Sequence, residues 1–319
     1  MVNQHSNLAI EVSGLRKKYG QQHVLRGIDF SVEPGAIFGM LGPNGAGKTT
    51  TVKILSTLAS PDSGRIRVAG ADPVSNPKAV RSAIGVTGQF SAIDDLLTGE
   101  ENLRLMADLH HLDRSTARTR ISDLLERFDL TSAAKKKPSS YSGGMRRRLD
   151  VAMGLMGSPQ IIFLDEPTTG VDPRGRKTMW DIVRNLAEDG ITVFLTTQYL
   201  EEADELADHI ALLDDGHIVA EGTPEELKAS IPGGHIELRF NTQSDLTIAE
   251  NTLRGSERFD SEIALRVSGG NDITHLRGIL QKLDEASVPV ANLSIHSPDL
   301  DDVFLELTSQ PNQTKRALA

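Results

Sequence analysis

The sequence predicts an α/β core with a helical insertion, followed by a small α+β unit. Three observations lead there: apolar residues alternate with polar ones early on, run unbroken in later segments, and take helical spacing over residues 99–137. Leu8, Ile10 and Val12, then Ile28, Phe30 and Val32, give the period of two expected of half-buried strands. The Pro34-Gly35 turn leads into residues 36–41, apolar nearly throughout, as a strand buried on both faces should be. Past a glycine-rich loop, residues 48–58 are expected to be helical, with Val52, Leu55 and Ala59 on one face. Pro61-Asp62-Ser63-Gly64 then turns the chain into the alternating segment 65–69.

In the helical stretch, Ile121, Leu124, Leu125 and Phe128 fall at i, i+3, i+4 and i+7. Residues 84–88 read as a strand, and buried-type strands return at 161–165, 192–197 and 209–213. Asp214-Asp215-Gly216 reads as a hairpin turn and not as a catalytic pair. Ser230-Ile231-Pro232-Gly233-Gly234 is expected to link the core to something different. Beyond it, 235–240, 264–267 and 290–295 are expected strands, and Ile273, Leu276, Leu280 and Leu283 mark an amphipathic helix. A closing helix should start with Ser297 as N-cap and Pro298 at the first helical position, and present Leu300, Val303, Phe304 and Leu307 as a stripe. The expected division is therefore 1–230, with its helical part at about 90–157, then 235–309, then a flexible tail at 310–319.

With 34 basic and 44 acidic residues the net charge is −10, which speaks against general binding of nucleic acid or anionic lipid. Arg146 to Arg148 and Lys135 to Lys137 have no interleaved aromatics and read as solvated helix faces or salt bridges, so no nucleic-acid partner is expected. Cysteine is absent, which removes disulfides and thiolate metal sites. The first residues lack a basic start and an apolar stretch. No apolar run approaches the ~18 residues that span a bilayer, so any membrane path is expected to come from another chain.

Gly42-Pro43-Asn44-Gly45-Ala46-Gly47-Lys48-Thr49 fits G-x-x-x-x-G-K-[ST] between a buried strand and a helix, where such a loop must sit. Its backbone N–H groups can curl around phosphates, and the helix N-terminus adds its dipole. Lys48 would reach the β- and γ-phosphates, and the Thr49 hydroxyl could ligate Mg²⁺; Thr50 continues the first helical turn. The apolar segment 161–165 ends in Asp165 and Glu166. Alone, these carboxylates would be a solvated turn. Beside a phosphate loop, Asp165 is placed to hold Mg²⁺ through water and Glu166 to polarise an attacking water. Tyr141-Ser142-Gly143-Gly144-Met145 opens a helix and offers a second anion site of N–H groups and a hydroxyl.

A phosphate loop, then Ser-Gly-Gly, then Asp-Glu-Pro-Thr, in that order, resembles the ATP-binding cassette (ABC) ATPases over residues 8–227. That resemblance implies a P-loop NTPase cassette: a mixed sheet with an antiparallel β subdomain and a helical subdomain. Tyr141 and Met145 depart from the family's common Leu-Ser-Gly-Gly-Gln, while Ser142, Gly143 and Gly144 are kept. Tyr19 matches the aromatic that stacks on adenine, Gln89 the glutamine that joins Mg²⁺ to the membrane-facing cleft, and Asp172 the aspartate that crosses the dimer interface. Position 198 carries Gln where most members place histidine. Thr196-Thr197-Gln198-Tyr199-Leu200-Glu201-Glu202-Ala203-Asp204 is similar to the daunorubicin/doxorubicin-resistance ATP-binding subunits, which also carry glutamine there. Tyr-Ser-Gly-Gly-Met-Arg-Arg-Arg and the ending Asp302-Val303-Phe304-Leu305-Glu306-Leu307-Thr308 point the same way.

What this resemblance implies is an ATPase using ATP and Mg²⁺, with GTP also accepted if stacking alone reads the base. It implies a homodimer of cassettes at the cytoplasmic face of the cell membrane, driving efflux of drugs or lipid-like molecules through a separate permease. Lys48, Glu166 and Gln198 would be catalytic, and Thr49, Gln89 and Asp165 would hold the metal. Two other classes stand beside it: a soluble ABC ATPase acting on ribosomes or DNA, and a nucleotide-dependent regulatory module. The sequence shows neither the second cassette nor the long coiled-coil insertion usual in the first of these. Glu166 argues against the second.

Overall fold

The computed structural model describes residues 8–88, 92–231, 234–253, 255–258, 263–268, 273–296 and 298–309. The chain forms two compact units, Met1–Pro224 and Glu225–Ala319. The division falls ahead of the 230–234 stretch read as a linker.

In the first unit the chain runs β1 (Ile10–Tyr19), β2 (Gln22–Val32), β3 (Ile37–Leu41), α1 (Lys48–Leu55), β4 (Ser63–Val68), α2 (Pro77–Ala83) and β5 (Ile84–Thr87). The helical stretch supplies α3 (Gly99–Leu109), α4 (Arg114–Arg127) and α5 (Gly143–Gly154). Strands and helices then alternate: β6 (Ile161–Asp165), α6 (Pro173–Glu188), β7 (Thr192–Thr197), α7 (Leu200–Leu206), β8 (His209–Asp214) and β9 (His217–Gly222). Among the described residues, one sheet has the order β2-β1-β4 and is antiparallel; the other has the order β5-β6-β7-β3-β8-β9, parallel except for its last pair. Residues 214–216 form the expected hairpin turn, with Asp215 and Gly216 at φ 43° and 76°.

Patterning explains the layers. Every residue of β3, β6 and β7 is buried, β3 and β6 as nearly unbroken apolar runs and β7 as an apolar centre flanked by threonines, whereas β1 alternates. Phe30 of the antiparallel sheet stacks on Phe38 at 5.3 Å between centroids, and Phe38 stacks on Phe194 at 5.3 Å, tying the sheets into one core. A second core joins Ile121, Leu124, Leu125 and Phe128 of the helical layer to Leu149, Trp180 and Leu195. Helix α1 ends sooner than its apolar spacing suggests. Thr57 enters the left-handed region at φ 67°, and the amides of Leu58 and Ala59 turn back to the Lys53 carbonyl.

In the second unit, α8 (Pro224–Ala229) leads to β10 (His235–Arg239), α9 (Gln243–Thr252), β11 (Ser256–Arg258), β12 (Ala264–Ser268), α10 (Ile273–Glu285), β13 (Asn292–His296) and α11 (Leu300–Ser309). The sheet order is β11-β12-β10-β13, all antiparallel. Helix α9 and strand β11 were not foreseen. On α10 the covered face runs through Leu276, Ile279 and Leu283, while Leu280 is exposed, so the expected stripe is rotated. The expected cap Ser297 lies outside the described residues, and Pro298 precedes α11 instead of opening it. Asp299 takes the cap position, accepting the Asp302 amide at 2.9 Å, because a carboxylate there satisfies an orphan N–H that proline cannot help. Leu300 and Val303 are buried within the chain. Among the described residues no helix is long and apolar enough to cross a membrane.

Candidate functional site

The loop between β3 and α1 is shaped by glycine. A Cβ on Gly42 would collide with the Leu213 carbonyl oxygen, and Gly47 holds φ 118° with a would-be Cβ 2.6 Å from Leu25. Lys48, only 4% exposed, opens α1 beneath this loop. Its ammonium donates to the carbonyls of Gly42 at 2.7 Å and Pro43 at 3.1 Å, and lies 3.9 Å from Glu166 Oε1. Burial pulls the Lys48 pKa down, and the charges of Glu166 and Asp165 act against that.

Asp165 is the last residue of β6. Its Oδ1 accepts from the Thr49 hydroxyl at 3.2 Å and from the Thr196 hydroxyl at 2.5 Å. Glu166 follows in the left-handed region at φ 51°, a costly conformation for a residue other than glycine. Its N–H is held by Thr196 O at 3.1 Å and Thr196 Oγ1 at 3.2 Å, and its Oε2 accepts from Thr169 Oγ1 at 3.2 Å. The turn that strains the backbone aims the carboxylate toward Lys48.

Ser142 is the N-cap of α5, accepting the Met145 amide at 3.2 Å, with Gly143 and Gly144 in the first turn. Gly143, Arg146, Arg147, Glu166, Thr169 and Val171 line a cleft of about 240 Å³ beside this helix start. Asp172 caps α6, taking the Gly175 amide at 2.8 Å. Half-buried Gln198 stands one residue past Thr197, which pairs with Leu41, so it lies level with the start of the phosphate loop. Tyr19 ends β1 half-exposed, with the Lys17 ammonium 5.2 Å over its ring. Gln89 lies outside the described residues.

The structure thus joins Lys48, Thr49, Asp165 and Glu166 through direct contacts. The expected Ser142, Gly143, Gly144 and Asp172 gather instead on the neighbouring α5 and α6 starts.

Two residues escaped the sequence reading. Thr196 bridges both carboxylate residues. Arg147, the middle of three arginines read as solvated or salt-bridged, is half-buried and turned toward the site: it donates to Asp165 O at 2.8 Å, Pro167 O at 3.0 Å, Gly88 O at 3.0 Å and Asp150 Oδ2 at 3.3 Å. Burial pushes its pKa below the usual value. Its neighbours do behave as read, Arg146 pairing with Asp95 at 2.6 Å and Arg148 with Asp129 at 3.1 Å. Behind the site, Trp180 Nε1 donates to the buried Glu202 carboxyl at 3.3 Å. Burial raises the Glu202 pKa, against the opposing pull of the Thr197, Thr168 and Trp180 donors and of Arg147.

A phosphate loop under strand-end carboxylates, on a mixed sheet with its own helical layer, makes this chain an ATP-binding cassette, an enzyme that hydrolyses ATP to drive transport. The ABC transporter family model matches residues 25–169, and the C-terminal domain model of ATP-binding protein DrrA1-3-like matches 222–308. The chain is 47% identical over 314 residues to the daunorubicin resistance ATP-binding protein DrrA3 of Streptomyces coeruleorubidus, covering 98% of this chain and 99% of that one. It is 45% identical over 320 residues to the doxorubicin resistance ATP-binding protein DrrA of Mycobacterium tuberculosis, with 97% and 96% covered. Among solved structures it is similar to an ATP-binding cassette in a dimeric post-hydrolysis state with ADP and Pi, at TM-score 0.62 and 25% identity, covering 67% of this chain and 98% of that one. The chain therefore belongs to the daunorubicin/doxorubicin-resistance family of ABC transporter ATP-binding proteins.

Proposed function

We propose that two copies of this chain hydrolyse Mg·ATP between them and so power a separate permease that exports drugs or other amphipathic molecules. The observation that carries this is the convergence of Lys48, Thr49, Asp165 and Glu166 beyond the ends of β3 and β6, two strands of one sheet with β7 between them. Lys48 exchanges its two carbonyl partners for the β- and γ-phosphate oxygens, regaining in phosphate charge what burial costs it. The loop residues Gly42 to Thr50 wrap the phosphates with N–H groups.

The donor set fits Mg²⁺: the Thr49 hydroxyl would be a hard oxygen ligand, and the Asp165 carboxylate, hydrogen-bonded to it at 3.2 Å, would hold the ion through water, the other ligands coming from water and phosphate. Gln89 is the third protein ligand expected. When bound, the ion neutralises charge on the transferring phosphoryl group. Glu166 orients and deprotonates the attacking water. The second copy's Ser142, Gly143 and Gly144 close over the γ-phosphate, for which the Ser142 hydroxyl keeps its own hydrogen to donate. Asp172 borders that contact.

The permease carries the chain to the cytoplasmic face of the membrane. A tagged chain expressed with its permease should copurify with the membrane fraction, and losing the chain should destabilise the permease. A chain recovered free of membranes under those conditions would contradict the transport reading. The unit from Glu225 onward, with no phosphate motif of its own, is proposed to support this association. Its Leu300 and Val303 are already covered within the chain and do not supply the docking surface.

Base recognition rests on Tyr19, whose exposed ring reads a flat π-face and little else. GTP should therefore bind within about tenfold of ATP, or roughly 1.4 kcal/mol. Competition titrations that gave a hundredfold preference for ATP would reveal a base-edge contact.

Gln198 is proposed to donate its amide N–H to the γ-phosphate, a reading supported by its register one residue past the Leu41–Thr197 pair, and an amide does not titrate near neutral pH as imidazole does. Gln198→Ala should cost about 1.5–3 kcal/mol of transition-state stabilisation, as for a hydrogen bond to a charged group. Gln198→His should keep or raise turnover. Equal steady-state rates for the natural and Ala forms, measured with the permease present, would make the side chain a bystander.

A further inference from the structure

We propose that Thr196 is a positioning residue for hydrolysis, its one hydroxyl setting the orientation of both Asp165 and Glu166. This rests on the site reading above. Strand β7 lies between β6 and β3, and Thr196 is paired with Asp165 on one side and Met40 on the other. Its side chain is wholly buried. A buried hydroxyl costs free energy unless it is bonded, and β7 is otherwise a place where valine would fit as well or better. The hydroxyl is bonded twice, and each time to the catalytic turn. It donates to Asp165 Oδ1 at 2.5 Å and accepts the Glu166 N–H at 3.2 Å.

These roles cannot be exchanged. An ionised carboxylate only accepts and a backbone N–H only donates, so the hydroxyl rotor has a single arrangement. Two consequences follow. Thr49 donates to the same Oδ1, so both hydroxyls hold one oxygen of Asp165 and leave Oδ2 without a protein donor among the described residues. That oxygen is the one available to the metal's hydration shell. The bond to the Glu166 amide also helps hold the left-handed backbone at φ 51° that directs the base. Thr196 therefore fixes which carboxylate oxygen meets the metal and where the water-activating group points.

The test compares the full-length chain with Thr196→Val, Thr196→Ser and Asp165→Asn. Mn²⁺ uptake in the presence of ATP is read by electron paramagnetic resonance, ATP affinity is read in EDTA, and kcat is read at saturating ATP and Mg²⁺. Thr196→Val should weaken Mn²⁺ uptake and lower kcat by roughly tenfold each, the scale of losing a partner that orients a metal ligand. Metal-free ATP affinity should not change, and Thr196→Ser should restore both losses. Wild-type Mn²⁺ uptake and kcat in Thr196→Val would overturn the proposal. So would a Ser variant as impaired as Val, or a Val variant that also loses metal-free ATP binding, since each means that packing and not the hydroxyl matters. If Asp165→Asn loses Mn²⁺ while Thr196→Val keeps it, the role of Thr196 alone fails. If Asp165→Asn keeps it, the underlying site reading fails too.

Discussion

Glu166→Gln is expected to bind ATP at least as tightly as the natural chain while hydrolysing it about 10²–10⁴-fold more slowly, the usual worth of a positioned general base. Glutamine keeps the size of the side chain and can still accept from Thr169, but it cannot take a proton from water. It also removes a negative charge 3.9 Å from the Lys48 ammonium that would compete with the phosphates for it. Binding therefore survives and turnover does not. With hydrolysis blocked, ATP should hold two copies closed, each nucleotide covered by the other copy's Ser142, Gly143 and Gly144. Size-exclusion chromatography in Mg·ATP reads this directly. A variant that stays monomeric while saturated with nucleotide would break the two-copy arrangement.

Arg147→Met should have the next largest effect. Arg147 starts on the helix that opens at Ser142 and ends on the carbonyls of Asp165, Pro167 and Gly88, so one guanidinium fastens three segments of the site together. Methionine fills the space but leaves those carbonyls unpaired, and a misplacement of Glu166 by about 1 Å can cost on the order of 10² in kcat. ATP affinity in EDTA should move less than about threefold, well under the 1.4 kcal/mol of a tenfold change, because no Arg147 bond reaches the phosphate loop. Lysine at this position restores charge but only a point donor in place of the planar fork, and should recover activity partly. Full activity in the methionine form would mean that the three segments hold their places unaided.

The phosphate loop, the strand-end carboxylates and the Ser-Gly-Gly helix start were legible because each needs particular residue types in fixed local order. Burial of β3 and β6 was legible for a similar reason, since nearly unbroken apolar runs have few other uses. Arg147 was hidden because three successive arginines look alike in sequence, and only the packing of α5 decides which one turns inward. Thr196 was hidden because threonine is at home in any strand and its partner is thirty-one positions away. In the second unit, α9 escaped because its apolar face is only Leu246, Ala249 and Leu253 in a polar segment. The cap of α11 was misread because several residues in a row could each have started that helix.

The hydrogen bond between Trp180 and Glu202 gives the protein a built-in optical gauge. The chain has a single tryptophan, so its emission has one origin. Its indole N–H is tied to α7, the helix that begins two residues after Gln198. Should that segment shift when the γ-phosphate arrives or departs, the indole's surroundings would change with it, and the emission of the unlabelled protein would report the step during turnover.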